Sequence, residues 1–261
     1  MEILNTLFNF SSVQFQSFIL IAVRFSGLFV SAPMLSNRNI PKMVKIGLIM
    51  FCSVLIFPFV DLMAEPVNTN LMLFAVISKE FAVGLIMGFF LTLVFISLQV
   101  AGQFIDYQTG FGMINVLDPE SRVQVPIMGQ FLYIMAMLLF LIISGHHWLI
   151  QSLVQSFQAL PLGFFTMDKD LVLFINTAFV KILVLSFKIA APVVAAIFLS
   201  EMAFGVMARA IPQMNLLIVG LPVKIGLGIF MISMVLPLFF WVMKKEFFNI
   251  FISVKNLMAM V

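Results

Sequence analysis

From Val123 to Met167 the chain runs for 45 residues without one Asp, Glu, Lys or Arg. No water-soluble surface is built from a stretch like that. It restricts the fold to structures whose solvent is lipid, detergent or other protein. The rest of the chain agrees. Only 10% of its 261 residues are charged, against roughly 25% in a soluble domain, and the mean hydropathy is +1.18. In lipid every backbone donor and acceptor must be paired internally, which leaves helices and closed barrels. The apolar runs are long and lack the alternation of barrel strands. The expected fold is therefore all-α: an integral membrane-derived protein of about six long, kinked hydrophobic helices. No Gly/Ser or charged linker divides the runs, so residues 1–261 read as a single domain.

The six runs are Val13–Pro33, Ile46–Val60, Leu71–Ala101, Val125–Leu149, Leu171–Leu199 and Leu216–Met243. The second has 15 residues between Lys45 and Asp61, short for a span of about 20. The third would reach about 46 Å, well beyond a hydrocarbon core of about 30 Å. Charge does not orient the set. Arg38, Lys42 and Lys45 mark the first connection as cytoplasmic, and Lys244, Lys245 and Lys255 do the same for the C-terminal tail. Six crossings would put the two on opposite sides, against the positive-inside rule. Either one segment does not cross or the helices do not form a flat bundle. Eight prolines (33, 41, 58, 126, 192, 212, 222 and 237) sit in or beside the runs. Freed carbonyls in lipid need protein or a water-filled cavity over them. The breaks suggest covering subunits, and the alternative is ordinary kinked spans.

Chemistry-bearing patterns are few. The net charge of +3 is dispersed, unlike the basic clusters that bind nucleic acid. Cys52 stands alone in an apolar run and reads as packing. The N-terminus lacks a basic region and a small-residue cleavage site, so no cleaved signal peptide is expected. A nucleophile elbow, a Walker loop and a dinucleotide fingerprint are all missing, so neither an enzyme nor a cofactor is expected. Gly145-His146-His147-Trp148 closes the fourth run and reads as a polar helix end with an interfacial tryptophan rather than a metal site. Gly84 and Gly88 form a GxxxG suited to close helix packing. Lys79 and Glu80 point about 100° apart on a helix. Lys79 is expected in water and Glu80 in a buried role. Lys181 and Lys188 share a face and either snorkel or line a polar path.

The segment Gly102–Pro126 is neither a solvated loop nor a span. Phe111 and Met113, flanked by Gly110 and Gly112, form an apolar tip whose glycines let the backbone fold tightly. It would fill a hole or lie on lipid headgroups.

Several residues in order carry a resemblance. They are Arg24, Pro33 and Ile40-Pro41; Glu80, Gly84 and Gly88; Ala101-Gly102, Gly110-Phe111 and Asp118-Pro119; Gly145-His146; and Pro192, Gly205, Arg209, Pro212-Gln213-Met214-Asn215, Gly220, Pro222 and Lys224. Over nearly its whole length the chain resembles the FliR family, the flagellar members of the FliR/SctT group of type III export-gate proteins. One departure is Ser200-Glu201, where an asparagine is expected, eight residues before Arg209. The resemblance implies a subunit of the flagellar export gate in the bacterial inner membrane at the basal body. It implies assembly with FliP and FliQ, association with FlhB and FlhA, and passage of unfolded flagellar proteins. It also implies that residues 106–123 form a plug loop, with Gly110, Phe111, Gly112, Met113, Ile114 and Asn115 at its tip. Glu80, Gly84, Gly88, Arg209, Pro212, Gln213 and Asn215 are the expected subunit-packing or buried polar positions, with Ile211–Asn215 a helix break against another subunit. The competing readings are a secondary transporter of a small solute and a membrane scaffold without a conduit.

Overall fold

The computed structural model describes residues 12–63, 66–67, 69–111, 126–166, 169–211 and 216–260. Among them there are seven α-helices and no strand. They are α1 (Ser12–Ser31), α2 (Lys42–Ile56, continued by a 3-10 turn over Phe57–Phe59), α3 (Asn70–Thr109), α4 (Ile127–Ile142), α5 (Gly145–Ala159), α6 (Lys169–Ala210) and α7 (Leu216–Met260). Five are long and apolar enough to cross a membrane, or six if α4 and α5 count as one broken span. This is an all-α membrane protein.

The apolar runs became helices, but their ends moved. Helix α2 takes in Lys42 and Lys45 and, with its 3-10 turn, reaches 18 residues, so the second run is long enough to span. Helix α3 passes Ala101 and ends at Thr109, giving 40 residues. Asp106–Thr109, expected at the start of a loop, are its last turn. Helix α7 does not stop at Met243. The apolar spacing persists through Phe247 and Val254, both buried, so Lys244, Lys245 and Lys255 belong to the helix rather than to a tail.

The fourth run is not one helix. The Ile143 N–H closes α4 on the Leu139 carbonyl, and the Ser144 carbonyl then accepts from His147 and Trp148 to begin α5. Ser144 takes the left-handed conformation, φ 56°. Gly145-His146-His147-Trp148 therefore opens a helix instead of closing one. Pro192, Pro222 and Pro237 lie inside continuous helices. Pro41 and Pro126 stand at helix starts, where a missing N–H costs nothing.

The chain forms two compact units, residues 1–92, 144–177 and 248–261 in the first and 93–143 and 178–247 in the second. Helices α3, α6 and α7 each contribute to both. The first unit buries Leu20, Ile21, Phe25 and Leu28 of α1, one helical stripe, and pairs Trp148 of α5 with Phe251 of α7 at 5.4 Å between ring centroids. In the second, Phe95, Phe140 and Phe247 bring α3, α4 and α7 together, with centroids 5.2–6.0 Å apart.

Candidate functional site

Two polar centres interrupt the apolar interior. The first is in the first unit and is sealed. Arg24 and Glu80 are both 0% exposed; Arg24 is the one charge on α1, and Glu80 follows Lys79 on α3. Arg24 Nε donates to Glu80 Oε2 at 2.6 Å. Its two terminal nitrogens donate to Ser156 Oγ and to the Leu160 carbonyl, each at 3.1 Å. The guanidinium also lies 4.2 Å from the centre of the Phe157 ring, a cation–π contact. Glu80 Oε1 accepts from the Gly163 N–H at 2.8 Å, where φ of +86° requires the left-handed region. The planar fork of arginine thus ties α1, α3, α5 and the turn after α5 through one group.

Glycine makes the pairing possible. A Cβ on Gly84 would overlap the Arg24 carbonyl and stand 2.9 Å from the Leu28 nitrogen. One on Gly27 would overlap the Phe81 carbonyl, and one on Gly88 would overlap Ser31 Oγ. Helices α1 and α3 therefore touch backbone to backbone. Thr92 Oγ1 extends the seam by donating to the Ser31 carbonyl at 2.6 Å.

The second centre lies in the second unit, at the two ends of the connection between α3 and α4. Asp106, 6% exposed, accepts from the Met128 N–H at 3.1 Å and from the Gly129 N–H at 3.5 Å. A side chain of α3 thereby caps the otherwise unpaired first turn of α4. A Cβ on Gly102 would overlap the Gly129 backbone, so α3 and α4 also touch there. Gly110 has φ of +85° and a Cβ on it would come within 2.6 Å of Leu221. Phe111 is buried. Beside them Glu201 of α6 pairs with Lys224 of α7 and accepts from Gln108 Nε2 of α3 at 2.9 Å. This pair is part-exposed.

Neither centre pairs a nucleophile with a base, and among the described residues no three potential metal ligands converge. What both arrangements do is hold helices in fixed register.

The family described as Bacterial export proteins, family 1, matches residues 15–250. The chain belongs to this family, the FliR family of bacterial export proteins. The Flagellar biosynthetic protein FliR of Bacillus subtilis (strain 168) is 36% identical over 95% of this chain and 96% of its own length. That of Escherichia coli (strain K12) is 30% identical over 83% and 82%. The Yop proteins translocation protein T of Yersinia pestis is 26% identical over 80% and 81%. This FliR-family chain is accordingly a flagellar biosynthesis export protein of the membrane.

The structure brings Glu80, Gly84 and Gly88 together on α3, against α1 of the same chain. Lys79 is half-buried. Arg209 is exposed at the end of α6, and its side chain makes no ion pair among the described residues. Glu201, the departure from the family pattern, is paired with Lys224 and not with Arg209. Gly112, Met113, Ile114 and Asn115, like Pro212, Gln213 and Asn215, lie outside the described residues. Reading the sequence alone missed the partners of Arg24, the Gly102–Gly129 approach and the capping role of Asp106. Two opposite charges in separate apolar runs, Arg24 and Glu80, were the available signal for the first.

Proposed function

We propose that this chain is a core subunit of the flagellar type III export gate. With FliP and FliQ it forms the channel through which unfolded flagellar proteins pass, in the inner membrane at the basal body, where FlhB and FlhA associate. The observation that carries the reading is the axial spread of exposed apolar residues. On α6 they run from Val172 to Met207 and on α7 from Ile218 to Ile252. At 1.5 Å per residue each spread is about 50 Å, against a hydrocarbon core of about 30 Å. Lipid cannot cover both ends of such a face, and neighbouring subunits are the apolar surface that can. A lone transporter has no use for the excess.

Within that channel, residues 110–123, the part of the expected 106–123 loop that lies beyond α3, act as the plug. Asp106 pins its two anchoring helices, and Gly110, Phe111, Gly112, Met113, Ile114 and Asn115 supply the apolar closing tip. Glu80, Gly84 and Gly88 set the frame of the subunit, while Arg209, Pro212, Gln213 and Asn215 pack against a neighbour. Replacing residues 110–115 with a short polar linker raises ion leakage through the gate while leaving assembly with FliP intact. Unchanged conductance together with unchanged secretion overturns the plug. Stable, monodisperse behaviour without FliP, with uptake of a small solute, overturns the gate in favour of a secondary transporter.

A further inference from the structure

The last turn of α3 is seated in a socket built by α6 and α7, all within the second unit. Three consecutive residues make the seat. Gln108 Nε2 donates to Glu201 Oε2 of α6 at 2.9 Å. Thr109, fully buried, sets its methyl in the notch left by Gly228 of α7, where a Cβ would come within 2.5 Å of Thr109 Cγ2. Gly110 packs on Leu221 of α7, and a Cβ on it would come within 2.6 Å of Leu221 Cδ1. Consecutive helical residues point about 100° apart, so contacts at all three wrap more than half of the turn. On α7 the partners lie three and four residues apart, at 221, 224 and 228, which puts them on one face.

One carboxylate closes the socket. Lys224 Nζ donates to Glu201 Oε1, while Gln108 donates to Oε2. A single side chain of α6 thereby joins three helices. Strong holding does not call for such a group, because apolar side chains of similar volume hold packed helices as well or better. What an ion pair adds is one allowed register. Being part-exposed, this pair also lets go at low cost, since water replaces each partner. The seat is therefore specific without being strong, and a turn so held is released and re-seated in the same place.

We propose that Glu201 is a positioning residue for the resting state of the gate. With Lys224 it holds Gln108, and so keeps the last turn of α3 in the socket that fixes where the chain leaves that helix. This inference rests on the plug reading given above and assigns the contact that sets the position of its first anchor.

The test measures the resting ion conductance of the chain co-purified with FliP and FliQ and reconstituted in planar bilayers. Glu201→Leu and Lys224→Met each raise leakage about three- to five-fold, the worth of one part-exposed pair. The Glu201→Lys, Lys224→Glu exchange rebuilds the pair in reverse, and the Gln108 carbonyl oxygen then accepts from position 201. It returns leakage to within about two-fold of wild type, a rescue that a general loss of stability would not show. Gly228→Ala presses on Thr109 with every charge in place, and it raises leakage as well. Should a charge variant fail to co-purify with FliP, Gly228→Ala and Gln108→Leu decide. A reversed pair that leaks as much as either single variant overturns the role of Glu201. Unchanged leakage in these variants, while the 110–115 linker variant leaks, overturns the socket and leaves the plug standing. A linker variant that does not leak overturns the plug, and this inference with it.

Discussion

Arg24→Ala tests the sealed polar centre. The guanidinium supplies the ion pair to Glu80, two further hydrogen bonds and the contact with Phe157. Without it the Glu80 carboxylate stays fully buried, with the Gly163 N–H as its one remaining partner among the described residues. Leaving such a charge unpaired costs about 3–5 kcal/mol, a large share of a typical stability of about 5–15 kcal/mol. Arg24→Lys keeps the charge but not the fork, and an orphaned Leu160 carbonyl or Ser156 hydroxyl costs about 1–3 kcal/mol. Arg24→Met combined with Glu80→Leu removes both charges. It recovers much of the loss, because the desolvation penalty disappears with the pair. A double-mutant cycle on the chain in its co-purified complex with FliP, read by denaturant titration, should show a coupling of about 2–3 kcal/mol. Additive single losses, or an Arg24→Ala variant within about 1 kcal/mol of wild type, would refute the reasoning. Either result would mean that water reaches the pair.

Gly84→Ala forces a methyl into the α1 backbone and should cost about 3 kcal/mol, seen as a lowered melting temperature. Gly205→Ala has open space around its Cβ and should be neutral or stabilise by up to about 1 kcal/mol through helix propensity. Asp106→Ala removes the acceptor that caps α4 and should cost about 1–3 kcal/mol, with faster amide exchange at Met128 and Gly129. Asp106→Asn, whose carbonyl oxygen still accepts, should restore most of that protection.

Fold class was legible because lipid leaves a chain few options, and uncharged runs as long as Val123–Met167 report the solvent directly. Helix ends were not legible, because tertiary partners set them. No local signal marks where α3 ends past Gly102; beyond it the helix packs on Gly129 and offers Asp106 to the α4 terminus. The break at Ser144 was hidden for a similar reason. No proline marks it, and a left-handed serine is an outcome of packing rather than of propensity. Pairings across long separations were equally hidden. Arg24 and Glu80 stood out separately as charges in apolar runs, yet only the fold makes them partners. Glu201 drew attention through its neighbour in sequence, Arg209, while its partner, Lys224, lay across the break between α6 and α7.

The two polar centres also differ in how easily they yield, and the difference suits an export subunit. Breaking the Arg24–Glu80 pair exposes buried charge to nothing that can solvate it, so the first unit resists at about 3–5 kcal/mol. The Glu201–Lys224 side chains are 36% and 25% exposed. A pair so placed exchanges partners with water at about 1 kcal/mol or less. It adjoins Gln108, two residues before Gly110, whose φ is positive. In the proposed gate, a subunit that stays assembled while the passage opens needs one region that does not rearrange and another that does so at low cost. Rigidity here is placed at α1 and α3, and compliance at the base of the connection that carries the proposed plug.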